Sequence, residues 1–189
     1  FLESDDTDKP ISLYGASKKS NELMAYAYSH LYKMPITGLR FFSVYGPWGR
    51  PDMAPFLFAK CLILGNSIKL FNNGKMLRDF TYIDDITESL VRLIFKTSLK
   101  NSEKINKLHT IYNIGNSDGV DLKRFLSALE KNFNRKAVIE LLPIQKGDMV
   151  KTLSNSCKLE KFIDFKPNTS IEEGISKFVE WYCNFYKIN

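Results

Sequence analysis

Apolar and polar positions switch between two periods along this chain, and the switches mark out successive elements. From Tyr14 to Lys33 good helix formers run without proline or any glycine after Gly15, and Pro35 forbids continuation, so a long helix is expected there. "ITGLRFFSVYG" follows, apolar and aromatic, as one strand ending at Gly46. "APFLFAKCLILG" reads as a helix closed by Gly65, and "SIKLF" as a strand before "NNG", a signal for a tight reversal. "RDFTYI" is another strand. "DDITESLVRLIFK" opens on helix-favouring acids and repeats Ile86, Leu90, Leu93 and Ile94 at helical spacing. The strand "TIYNIG", the helix "DLKRFLSALEKNF" and the strand "AVIELL" come next. Ser170 with Glu173 makes a capping box for a last helix to about Tyr186.

Strands separated by helices predict an α/β fold with right-handed crossovers, in which ligands sit at the carboxyl ends of strands. Composition narrows the class. With 189 residues, 44% hydrophobic and 25% charged, the chain has room for one globular domain or slightly more. It has no apolar run of about 18 residues, the length that spans a membrane. The opening "FLESDDTDKP" lacks the basic and apolar regions of a signal peptide and reads as a surface loop, so the chain is expected to begin in mid-fold. Cys61, Cys157 and Cys183 are odd in number and far apart, which argues against a disulfide framework or zinc cluster and suits a reducing cytoplasm. The net charge of +6 is spread over many segments, so it reads as solvated helix faces rather than a nucleic-acid stripe. A positive balance also suits an anionic small substrate.

Tyr14 and Lys18 stand four positions apart at the start of the first helix, on one face. In a chain this rich in tyrosine and lysine, roughly one such spacing arises by chance, so context decides its meaning. That context is a series of strings: "YGASK", "RFFSVYGPWGRPDMAPF", "FNNGKMLRDFTYIDDI", "YNIGN" and "FVEWYCNFY". In order and spacing they resemble the extended short-chain dehydrogenase/reductases that act on nucleotide sugars, and most of all the UDP-glucuronate 4-epimerases of capsule and lipopolysaccharide pathways. The resemblance covers essentially the whole chain. It implies the C-terminal part of a Rossmann-type parallel-sheet domain plus a smaller α/β substrate-binding domain. Residues 1–50 would close the NAD-binding domain and 51–189 would mainly form the nucleotide-sugar domain, with about 78–115 returning to the Rossmann-type part. The glycine-rich turn that seats the NAD pyrophosphate in such enzymes has no counterpart in the sequence, nor has the Ser/Thr that precedes the tyrosine. The chain alone is therefore expected to be inactive.

The resemblance implies roles residue by residue. Tyr14 would remove the proton of the sugar 4-hydroxyl. Lys18 would hold the phenol as phenolate and contact the nicotinamide ribose, since a nearby positive charge favours the deprotonated tyrosine. Ser43 and Arg50 would hold a C6 carboxylate, a hydroxyl donor and a planar cationic fork being suited to it. The bland alternative for Arg50 is a loop tie to Asp52. Arg78 would contact the ribose and diphosphate, and Leu70 and Phe71 would wall the uracil. Tyr45 and Trp48 read as packing residues, and His30, on the long helix, and His109, in a loop, as surface or packing groups. Asp79, Asp84 and Asp85 raise a metal reading, set aside because two of them suit a strand end and a helix cap and the resemblance implies no metal. Gln145 matches the glucuronate-type members, whereas Lys146 departs from their proline. The expected activity is NAD-dependent C4 epimerisation of a UDP-sugar, UDP-glucuronate to UDP-galacturonate, through a 4-keto intermediate for surface polysaccharide synthesis, by a cytoplasmic homodimer without nucleic-acid or membrane partners. The alternatives are a UDP-glucuronate decarboxylase, another UDP-sugar epimerase or dehydratase, and a non-catalytic remnant of a split gene.

Overall fold

The computed structural model describes residues 1–100, 108–145 and 147–188. Helix α1 (Leu13–Tyr32) begins where Ser12 Oγ accepts the Gly15 N–H at 3.0 Å, and it ends at Lys33 in a left-handed conformation two residues before Pro35. The stretch expected as one strand is two, β1 (Ile36–Phe41) and β2 (Ser43–Tyr45). Phe42 donates its N–H to Ile114, the last rung toward one sheet, and Val44 N–H turns back onto the Phe42 carbonyl at 2.9 Å. That three-residue turn sends the chain into a different sheet.

Helix α2 (Ala54–Leu64) carries Pro55 in its first turn and stops at Gly65, whose φ of 70° is the left-handed cap that glycine takes without strain. Strand β3 (Ser67–Leu70) leads into a 3-10 turn at Phe71–Gly74, where Asn72, Asn73 and Gly74 all have positive φ. The reversal expected at "NNG" does not make a hairpin. β4 (Leu77–Tyr82) joins β2 in parallel, while β3 waits for β7 (Val138–Leu141), also parallel. Helix α3 (Ile83–Lys100) follows β4, and β5 (His109–Ile114) pairs in parallel with β1. His109 thus starts a strand rather than lying in a loop.

Two short elements escaped the periodicity: β6 (Gly119–Asp121), antiparallel to β4, and α5 (Cys157–Ile163). Between β6 and β7 lies α4 (Leu122–Phe133), capped by the Asp121 carboxylate on the Lys123 N–H. The last helix is α6 (Ile171–Tyr186). Ser170 Oγ accepts the Glu173 N–H as its capping box predicts, but the Glu173 carboxylate goes to Lys177 at 2.8 Å.

Two cores result. The larger packs α2, α4 and α6 against β2, β3 and β4 around Phe125, Phe178, Ile175 and Leu129. The smaller sets α3 and α5 on β5 through Ile86, Leu93, Leu159 and Ile163. In α1, by contrast, Ser29 alone is buried among its residues, and Leu13, Leu23, Leu31 and Tyr32 lie exposed.

Candidate functional site

A cavity of about 540 Å³ opens between α2 and the β3–β4 segment. Met53, Leu57, Phe58 and Cys61 give it an apolar wall, and Ser67, Lys69 and Phe71 line the side opposite in sequence. Ser43 at the head of β2 and Arg78 on β4 add polar groups. Three residues singled out from the sequence, Ser43, Phe71 and Arg78, therefore meet around one space. Leu70 does not: it is buried in the larger core and is not part of the lining. Arg50 is not part of the lining either.

Arg78 enters the cavity already engaged. Its guanidinium donates to Asp148 at 2.9 Å and to the Val150 and Leu77 carbonyls at 3.3 and 3.2 Å. Asp148 itself lines the cavity, and the sequence reading passed over it. Its one local signal was the glycine before it, Gly147, at a φ of 81°. Lys146, the departure from the expected proline, lies outside the described residues.

Asp79 was considered for a metal and proves to be a structural acceptor. It is fully buried inside β4, not at its end, and takes the N–H groups of Asn116, Ser117 and Ser154 at 3.0, 3.2 and 2.8 Å and the Ser154 hydroxyl. Asp85, in the first turn of α3, accepts the Thr169 N–H at 2.9 Å. These carboxylates satisfy backbone donors that burial would otherwise orphan.

The Tyr14–Lys18 pair stands on the open face of α1. Tyr14 is 73% exposed, and the Lys18 ammonium lies 5.3 Å from its ring centroid. Arg50 pairs with Asp52, both well exposed; that hydrogen bond first, and the charge behind it, hold the guanidinium above its ordinary value. A smaller contribution comes from Tyr14. One link joins this region to the cavity: the Arg50 carbonyl accepts the N–H of the cavity residue Met53 at 3.2 Å. Trp48, in the same loop as Arg50, holds a φ of 61°, strained for a bulky residue, and rests on Trp181 and Phe185. Tyr45 is a packing residue, buried against Phe80, Tyr82 and Phe125.

The model of the NAD dependent epimerase/dehydratase family matches residues 2–115. The chain belongs to that family. Among curated relatives, Protein CapI of Staphylococcus aureus is 47% identical over 99% of this chain and 59% of its own length. UDP-glucuronate 4-epimerase 5 of Arabidopsis thaliana is 41% identical over 98% of this chain and 44% of its own. Among solved structures, UDP-glucuronic acid 4-epimerase from Bacillus cereus, in complex with UDP-glucuronic acid and NAD, superposes with a TM-score of 0.86 at 29% identity, over 98% of this chain and 57% of that one. The chain thus spans about half the length of such relatives, 44% to 59%. The α/β fold with parallel, Rossmann-like elements is that of these enzymes.

Proposed function

We propose that these residues carry the catalytic pair and most of the sugar-nucleotide site of an NAD-dependent UDP-sugar 4-epimerase that interconverts UDP-glucuronate and UDP-galacturonate for surface polysaccharide synthesis. The observation that carries the reading is the cavity bounded by Ser43, Phe71 and Arg78, linked through the Met53 N–H to the Arg50 carbonyl of the adjoining loop. Its apolar wall and single arginine suit a base at one end and a diphosphate at the other.

The donors on α1 fit one end of NAD. An exposed phenol and ammonium side by side match the hydroxyls of the nicotinamide ribose, whereas the sequence offers no glycine-rich turn for the pyrophosphate. This chain would therefore hold the reactive end only, and the remainder of the site would come from outside these residues. Bound there, NAD supplies a two-electron acceptor at the sugar C4 that is restored within each turnover. Tyr14 takes the proton of the 4-hydroxyl and returns it after the 4-keto sugar has rotated. Lys18 keeps the phenolate in that state. Arg50, released from an exposed partner at little cost, takes the C6 carboxylate together with Ser43. Phe71 lies along the uracil, with Leu70 supporting it from the core, and Arg78 takes the diphosphate.

In this reading residues 1–50 close the dinucleotide-binding domain and 51–189 form most of the sugar-nucleotide domain, with 78–115 returning to the first. The exposed apolar residues of α1 suit pairing with a second copy of the enzyme, in the cytoplasm. Turnover of UDP-glucuronate by the full-length enzyme is the test. UDP-galacturonate as product is expected; carbon dioxide with a pentose nucleotide would make the enzyme a decarboxylase, and no turnover would refute both.

A further inference from the structure

Glu22 stands four residues after Lys18 on α1, the spacing at which a lysine and a glutamate ordinarily pair on a helix. Such a pair would cancel the ammonium charge beside Tyr14. It does not form. Arg40, reaching from β1, takes both oxygens of Glu22 in a bidentate bond, Nε to Oε1 at 2.6 Å and Nη2 to Oε2 at 2.9 Å. The other lysine within reach of Glu22, Lys19, is spent on Asp8 at 2.8 Å and Thr7 at 2.9 Å. Lys18 has no carboxylate partner among the described residues, and its contact is the Tyr14 ring.

We propose that Arg40 is a positioning residue for the Tyr14–Lys18 pair: by occupying Glu22 from the neighbouring strand, it keeps the Lys18 ammonium unpaired and available to the phenol. This rests on the reading of Tyr14 as the base. The geometry favours Arg40 over Lys18 as the partner because a planar fork satisfies both carboxylate oxygens at once, whereas an ammonium is a single charge on a flexible stem. The pair is also half-buried, with both side chains 22% exposed, so an exchange of partners has to break two directional bonds. The hydrogen bond from Arg40, and after it the Arg40 charge, hold Glu22 below its ordinary value, and Lys19 on α1 and His109 on β5 add to the effect. Around Arg40 the further acids are Glu3 and Asp5 of the N-terminal segment. Near Tyr14 the Arg50 guanidinium is a further charge.

The test replaces the arginine by an uncharged side chain of similar reach. In the full-length enzyme, Arg40→Met releases Glu22 to capture Lys18. The ionisation of Tyr14, followed by tyrosinate absorbance as the difference from a Tyr14→Phe control, should move up by about one pH unit, at the low end of what a neighbouring charge does. The alkaline rise of kcat/KM should move with it, while KM changes less than kcat. Adding Glu22→Gln to Arg40→Met removes the competitor and should return both curves to their original positions. A residue that only ties α1 to β1 predicts the opposite pattern: lower thermal stability in both variants, no movement of the titration, and no rescue by the second substitution. An unmoved titration in Arg40→Met, or a moved one that Glu22→Gln fails to restore, overturns the proposal. If the tyrosinate curve moves as expected in an enzyme that turns over no UDP-sugar, the inference about Arg40 stands and the epimerase reading fails.

Discussion

Gly174 on α6 faces the ring of Tyr45 at the end of β2, and the two are a sensitive test of how tightly the larger core is packed. A Cβ built on Gly174 would lie 1.9 Å from the Tyr45 hydroxyl oxygen and 2.7 Å from the ring carbon that bears it. Tyr45 has no room to retreat. It is 3% exposed and wedged edge-on against Phe80, Tyr82 and Phe125, and burial pushes its phenol far above the ordinary value. Gly174→Ala should gain about 1 kcal/mol in helix propensity and lose about 3 kcal/mol to overpacking, a net destabilisation of about 2 kcal/mol. The Tyr45 hydroxyl is itself buried without a hydrogen-bond partner. Tyr45→Phe should therefore be neutral or stabilising by about 1 kcal/mol, because it removes an unsatisfied polar group. In the double variant the oxygen contact is gone but the ring carbon at 2.7 Å remains tight, so the alanine should cost about half as much as alone. Urea unfolding of the full-length protein and the three variants closes this cycle. Additive effects, or an alanine tolerated beside Tyr45, would show that the contact between β2 and α6 is looser than described.

Three other outcomes follow from the site. Arg78→Ala should weaken UDP binding about 30-fold or more by calorimetry, since it removes the cavity's arginine and leaves Asp148 without its partner; unchanged affinity would remove Arg78 from the site. Arg50→Ala should weaken UDP-glucuronate about tenfold or more and leave UDP-glucose nearly unaffected, because one charge-assisted bond to the carboxylate is lost, and equal losses would refute the carboxylate role. Glu22, held below its ordinary 4.5 by Arg40, binds fewer protons in the native than in the unfolded chain as the pH falls. Its contribution is complete above 4.5 and is lost as the pH drops through the lowered native value, so the deficit of Glu22→Gln, about 1 kcal/mol near neutrality, should vanish in acid unfolding curves; a deficit that persists there would contradict the linkage.

The long elements were legible because their signals are local. Ser12 and Pro35 bracket α1, Gly65 closes α2, and Asp121 caps α4, each by a backbone requirement that one residue type meets best. The strand break at Phe42 was not legible, since Phe41, Phe42 and Ser43 include no proline or glycine to mark it. The turn there comes from competition between two partner strands, β5 and β4, far along the chain. Among the candidate site residues, Leu70 and Phe71 looked equivalent as adjacent apolar groups. The end of β3 at Leu70 and the 3-10 turn that starts at Phe71 separate them, leaving one in the core and the other at the cavity.

Arg78 and Asp79 show why one lining residue of the cavity could be picked out from the sequence and its supports could not. Neighbouring residues of a strand point to opposite faces. Arg78 shares its face with Phe80 and meets the cavity, while Asp79 shares the other with Thr81, and both of those bond the Asn116 N–H. The segment from Asp148 to Ser154 is consequently held from both faces of β4: Arg78 takes Asp148 and the Val150 carbonyl, and Asp79 takes the Ser154 backbone and hydroxyl. Between these holds, Leu77 donates to Val150 and accepts from Thr152, each at 3.0 Å. One dipeptide thus fixes a cavity wall that lies some 70 residues further along the chain. An arginine proposed to meet a phosphate can be picked out by its own chemistry. Its partner acid and the serine behind it acquire their roles only when the strand brings them together.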